Sequence, residues 1–211
     1  DVHGLGKLMM ANATPWSLCW LTPQLDVLGT ETNWNPGGQW QPMSVGELFY
    51  RRALCKGKPY CFLMNTSFDG FSHELVEKFM KRAVAFGMFP GFFSADASTG
   101  HYFSRPELYS RDRDLFKKYV PVCRRIAEAG WEPVTLARAD NSEIVLERFG
   151  TDYLTVFNAT ETEKSFSVQF EAAAPAACRE ILSDKPIEAK NGQIGMALGG
   201  EDVAVLELKA R

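Results

Sequence analysis

Glu31 is the residue whose setting in this chain most favours chemistry. It stands in QLDVLGTETNW (residues 24–34), where an apolar run is entered beside Asp26 and left through Gly29 and Thr30. Leu25, Val27 and Leu28 suit a buried strand, so Glu31 falls just past its C-terminal end, ahead of Thr32, Asn33 and Trp34. Enzymes built from alternating strands and helices carry their active groups at that end, on the loops that follow the strands. Asp26 is the second candidate catalytic carboxylate. If the strand starts at Asp26, that carboxylate lies on the opposite floor and its role is structural.

Other polar residues fall on the same expected rim. Asn12 closes the apolar run KLMMANA and Asn65 closes KPYCFLMN, where each either hydrogen-bonds substrate hydroxyls or caps loop backbone. Asp69, in NTSFDGF, and Asp96, in FFSADAST, follow the third and fourth runs, and either could partner Glu31. For Asp69 the competing reading is a turn, since Asp-Gly is a strong turn signal. Trp16, Trp20, Trp34 and Trp40 lie in segments rich in Thr, Pro, Asn and Gly. Trp16 and Trp34 are candidate substrate contacts, because the C–H faces of sugar rings pack on aromatic faces; the alternative is that such rings pin long loops to the body.

Composition narrows the field. The 211 residues are 45% hydrophobic and 23% charged, as in an ordinary globular protein. A net charge of −3 leaves no basic footprint for nucleic acid, and no apolar run is long enough for a membrane span. The opening DVHGLGKLMM has neither an initiating Met nor the order of a signal peptide, and reads as cut or processed. Five scattered cysteines without a CxxC pair suit buried free thiols, and His3, His73 and His101 have no metal-ligand spacing. No metal or cofactor is expected.

These residues need elements to hold them. Residues 7–13, 24–30, 58–65 and 85–93 read as strands, with a short helical turn in TPWSLCWLTP. Ser44 and Glu47 form a capping box opening a helix that Gly57 stops. A second helix follows Ser72, with Leu75, Val76, Phe79, Met80, Ala83 and Val84 on one stripe. A third runs from about Asp112 to Ala129, with a kink expected at Pro121. This alternation is that of parallel β/α units. From Val134 onward short alternating runs replace it, reading as a small antiparallel β-sandwich that ends in a hairpin around Gly199 and Gly200. Arg138, Glu147 and Arg148 are expected to form ion pairs between the two parts, and Glu132 to be structural.

MMANA, LDVLGTETNW, GKPYCFLMN and FGMFPGFFS resemble strands five to eight of a (β/α)₈ barrel. FKKYVPVCRRIAEAGWEPVTLARADNSEIVLERFG resembles the last barrel helix leading into a sandwich, of which DYLTVFNAT resembles a strand. Together they resemble the C-terminal half of a glycoside hydrolase with its trailing β-sandwich domain. The resemblance implies a partial barrel over residues 1–133, a sandwich over 134–211, and hydrolysis of glycosidic bonds in an oligosaccharide or glycoside. Such hydrolysis uses two carboxylates flanking the scissile bond. A whole barrel takes roughly 250 residues, so the resemblance implies a missing N-terminal half, supplied by the same chain or by a second one. The alternative is a non-catalytic carbohydrate-binding or scaffolding module.

Overall fold

The first four apolar runs pair side by side in a computed structural model that describes residues 2–12, 16–66, 70–94, 104–171, 175 and 177–209, with side chains for all of these except 16–18, 93, 94 and 209. Strands β1 (Met10–Asn12), β2 (Val27–Thr32), β3 (Tyr60–Thr66) and β4 (Phe89–Ser94) form one parallel sheet in the order 1-2-3-4. A 3₁₀ segment, Trp16–Gln24, connects β1 to β2. Side chains alternate across a strand, and β3 shows it: Tyr60, Phe62, Met64 and Thr66 are buried, while Cys61, Leu63 and Asn65 are half-buried.

The buried set faces three helices. Helix α1 (Val45–Cys55) starts at Ser44, whose Oγ accepts from the Glu47 amide at 3.2 Å, while the Glu47 carboxylate turns forward to Arg51. Helix α2 (His73–Ala85) is capped in the same way by Ser72, which accepts from the Leu75 amide at 3.3 Å. Helix α3 (Pro106–Ala129) begins six residues before the expected Asp112, because Pro106 suits a first helical position. It continues past Pro121 to Ala129.

The remaining chain is antiparallel. Strands β5 (Trp131–Glu132), β6 (Ala137–Ala139), β7 (Ile144–Phe149), β8 (Tyr153–Asn158), β9 (Lys164–Phe170), β10 (Ala177–Glu180), β11 (Lys185–Ile187), β12 (Gln193–Leu198) and β13 (Val203–Lys209) make two sheets. Their orders are 11-10-13-8-7-5 and 12-9-6. Leu154, Val156, Phe166, Val168, Ile194 and Leu206 form a core between them. The expected final hairpin does not form: β12 pairs with β9 and β13 with β8 and β10, so the Gly199–Gly200 turn carries the chain from one sheet to the other. Both strands thereby turn apolar residues into the same core, which pairing in one sheet would not require. Gly200 permits the crossing, since a Cβ there would lie 2.2 Å from the Glu161 carbonyl carbon.

The larger sheet is buried on both sides. Phe149, Phe157, Val203 and Val205 point to the helices and join a single core with Phe62, Phe79, Val84, Cys123 and Ile126. Polar groups lock this contact: Thr155 Oγ1 donates to the Ala85 carbonyl at 2.6 Å, and Lys81 pairs with Asp202 at 3.0 Å. Of the residues expected to bridge the halves by ion pairs, Arg138 instead donates to Gln169 within its own sheet, and Arg148 to the carbonyls of Thr135, Gly150 and Thr151. Both arginines find acceptors near their own strands, so neither reaches the helices.

Glu147 does face the first half. It is 3% exposed, accepts a hydrogen bond from Trp131 Nε1 and lies in the field of Arg52. Burial outweighs both partners and pushes its carboxyl from the ordinary 4.5 up to about 7. The folded state therefore holds this proton more tightly than the unfolded chain. The associated stability is fully present below about pH 4.5 and is lost as pH rises through about 7. Glu147→Gln, which mimics the protonated form, is expected to raise the melting temperature at pH 8 by roughly 5 °C and to leave it near wild type at pH 4.5. Thermal melts of both proteins across that range check this; equal shifts at both pH values would refute it.

Candidate functional site

Alternation along β2 separates two sets of side chains. Leu28 and Thr30 enter the helix-side core, whereas Gly29 and Glu31 point to the opposite face of the parallel sheet. Asn12, Cys61, Leu63 and Asn65 occupy that same face by register: Asn12 pairs with Gly29, and Glu31 with Leu63. The register is staggered, so Glu31 lies one step beyond Asn12 and one step short of Asn65.

Both asparagines close on the carboxylate. Asn12 Nδ2 donates to Glu31 Oε2 at 2.8 Å, and Asn65 Nδ2 donates to Glu31 Oε1 at 2.8 Å. The Asn65 Oδ1 is enclosed and has no donor. Gly29 leaves room for the arrangement, because a Cβ there would lie 3.7 Å from Asn12 Oδ1 and only 2.9 Å from the Met10 methyl. Glu31 itself is exposed. An amide NH₂ can donate but not accept, so the pair orients a carboxylate with both oxygens engaged and its outer lone pairs towards solvent. That geometry suits a base, a nucleophile or an acceptor for sugar hydroxyls.

Asp26 is not part of this site. It precedes β2, five residues and roughly 16 Å of strand from Glu31. Its carboxylate accepts from the Met9 amide at 2.6 Å and lies 2.8 Å from His3 Nε2. The Met9 amide, followed by His3, holds its carboxyl below the ordinary range. These contacts tie the chain entering β1 to the start of β2 and set Asp26 apart from Glu31, in the structural place that its position ahead of the strand offered.

Trp34 takes the second of its two expected roles, a ring that pins its loop to the body. Its ring is 2% exposed, packed on Trp40, Phe62 and Phe79 at centroid distances of 5.7, 4.7 and 5.4 Å. The period-two alternation that places Leu28 and Thr30 on the helix side continues past the strand and carries Trp34 there too. A ring so enclosed offers no face to a sugar. Trp16 opens the 3₁₀ segment, with its side chain outside the described residues, as are Asp69 and Asp96.

A second cluster, absent from the sequence-based expectations, supports the loop after β2. Arg82 is buried on α2 and donates to the Met43 carbonyl at 3.1 Å and to Glu201 Oε1 at 2.8 Å. Its guanidinium lies 5.9 Å from the Trp34 ring centroid and 5.2 Å from that of Phe157. Glu201 also accepts from Trp40 Nε1 at 3.0 Å and pairs with Lys78 at 3.2 Å. Burial acts to raise the Glu201 carboxyl, but Trp40, Arg82 and Lys78 together hold it below its ordinary value. The available signal was positional: Arg82 follows Phe79 by three on the apolar stripe, where a cation requires a partner.

No protein-family model and no curated protein sequence matches this chain. Among solved structures it is similar to an alpha-amylase from Anoxybacillus, with a TM-score of 0.58 and 9% identity, over 99% of this chain and 53% of that one. It is also similar to alpha-galactosidase I from Mortierella vinacea, with a TM-score of 0.53 and 11% identity, over 99% of this chain and 60% of that one. The fold is therefore one found in glycoside hydrolases, and the chain spans between about half and three fifths of their length.

If Trp34 is core, its removal acts on stability. Trp34→Ala is expected to cost about 3–5 kcal/mol and Trp34→Phe markedly less, as read by denaturant titration. A Trp34→Ala protein as stable as wild type would return the ring to the role of a surface platform.

Proposed function

We propose that this chain is the C-terminal half of a barrel-type glycoside hydrolase with a trailing β-sandwich, residues 1–133 and 134–211, and that Glu31 acts on the glycosidic bond of an oligosaccharide or glycoside. The observation that carries the reading is the Glu31 carboxylate held between Asn12 and Asn65 at the C-terminal ends of three adjacent parallel strands. A preorganised carboxylate in that position suits a nucleophile or general base, with the amides fixing its aim. Asn12 and Asn65 would then contact substrate through the carboxylate they orient and through sugar hydroxyls beside it.

Two further observations support the barrel. Parallel sheets are covered on both faces in nearly all proteins, yet Met10, Asn12 and Glu31 are exposed on the face opposite the helices. The chain also spans about half of the similar alpha-amylase. A preceding set of β/α units would close the sheet and complete the rim. The second carboxylate would come from that half, or from Asp69 or Asp96 after β3 and β4.

A binding module is the second reading. It is favoured by one fact: Glu31 is the single carboxylate among the described residues at these four strand ends. Glu31→Gln in the full-length parent discriminates the two. Hydrolysis of a responsive glycoside is expected to fall about 10²–10⁴-fold, with Asn12→Ala and Asn65→Ala each causing a smaller loss in kcat. Activity near wild type in Glu31→Gln would sink the assignment, and sugar binding without turnover by the parent would favour the module.

A further inference from the structure

We propose a second glycan-binding surface on the outer face of the three-stranded sheet, remote from Glu31. Its ligand class, an extended neutral polysaccharide chain, rests on the carbohydrate reading above; its location does not. A depression of about 330 Å³ is lined there by Arg138, Ala139, Asp140, Ser167, Gln169 and Gln193.

Register builds the surface. Gln193 on β12 pairs with Gln169 on β9, which pairs with Arg138 on β6, giving a polar row across three strands. The next row contains Gly195 and Ser167, with Asp140 beside them through its amide to the Ser167 carbonyl at 3.0 Å. Phe166, Val168 and Phe170, of opposite parity, face the core. The row is held in place from within: Arg138 Nη2 donates to Gln169 Oε1 at 3.1 Å, and Asp140 Oδ1 accepts from the Ser167 amide at 2.9 Å. These contacts use one guanidinium nitrogen and one carboxylate oxygen, and Arg138, Asp140 and Gln193 are exposed while Gln169 is half-buried. The floor is low, since a Cβ at Gly195 would meet nothing within 4 Å.

The chemistry selects the ligand. One guanidinium and one carboxylate line the depression, which leaves its lining nearly neutral and disfavours a polyanion. Gln169 lies on the central strand, whose backbone is paired on both sides, so a peptide cannot add there as a strand. The planar amides and guanidinium of this row, with the Asp140 carboxylate beside the next one, can engage adjacent hydroxyls by hydrogen bonds. Adjacent strands lie about 4.8 Å apart, close to the repeat per ring of an extended polysaccharide. A glycan laid across the strands would meet one polar side chain per sugar.

Native gel electrophoresis of the 211-residue protein in hydroxyethylcellulose or arabinoxylan tests this. Wild type and Glu31→Gln are expected to be retarded alike. Arg138→Ala combined with Gln193→Ala, at two exposed positions, should raise the apparent Kd about tenfold or more with an unchanged melting temperature. Loss of retardation in Glu31→Gln, no retardation of wild type, or full retardation of the double variant would each overturn the proposal. Hydrolysis by the parent is not read in this experiment, so the failure of one proposal leaves the other standing.

Discussion

The buried Arg82 guanidinium lies where the helices meet the larger antiparallel sheet, beside the loop that follows Glu31. Burial makes an unpaired cation costly, so the surrounding chain is organised to satisfy it. Glu201 reaches it from the turn between β12 and β13, the Met43 carbonyl reaches it ahead of α1, and the Trp34 and Phe157 rings flank it. Trp40 then donates to the same Glu201. Three chain segments far apart in sequence thus share one charge. The loop that leaves Glu31 is anchored three residues later by Trp34, within this cluster.

Anchoring on one side defines exposure on the other. Because Trp34 follows Leu28 and Thr30 into the helix-side core, Glu31 must point away from it. The parallel register then supplies neighbours on both flanks, Asn12 behind and Asn65 ahead, each able to reach one carboxylate oxygen. Rigid strands rather than loops carry all three residues. Both carboxylate oxygens are thus held in place by the fold itself.

The antiparallel half has two working faces. One side of its larger sheet completes the helix core with Phe149, Phe157, Val203 and Val205, and its other side shares a core with the smaller sheet. Among the described residues, the smaller sheet's outer face is a broad surface free of packing duties within this half. Its parity separates Phe166, Val168 and Phe170 inside from Ser167 and Gln169 outside. Burial at the interface with the helices disfavours charge on Glu147, which accepts from Trp131 in the field of Arg52.

Periodicity and punctuation determined much of this protein in advance. The four parallel strands, the Ser44 and Ser72 caps, the three helices and the change to antiparallel strands follow from local signals, because caps and alternation act over a few residues. The proximity of Asn12, Glu31 and Asn65 was also legible, although Glu31, expected just past its strand, lies within β2 one residue before its end. What tertiary structure decided is where the side chains beyond those runs go. Segment polarity left Trp34 open between a sugar platform and a ring that pins its loop, and the nearby aromatic core and the Arg82 cation decide for the second. Asp26 stayed open between catalysis and a structural place below the strand, and the backbone amide of Met9 and His3 claim it. The turn at Gly199–Gly200 resembles a hairpin locally, and only the shared core between two sheets sends its strands apart. Local sequence specifies the conformation of a short segment; the partner of a buried charge, ring or strand edge is set by residues a hundred positions away.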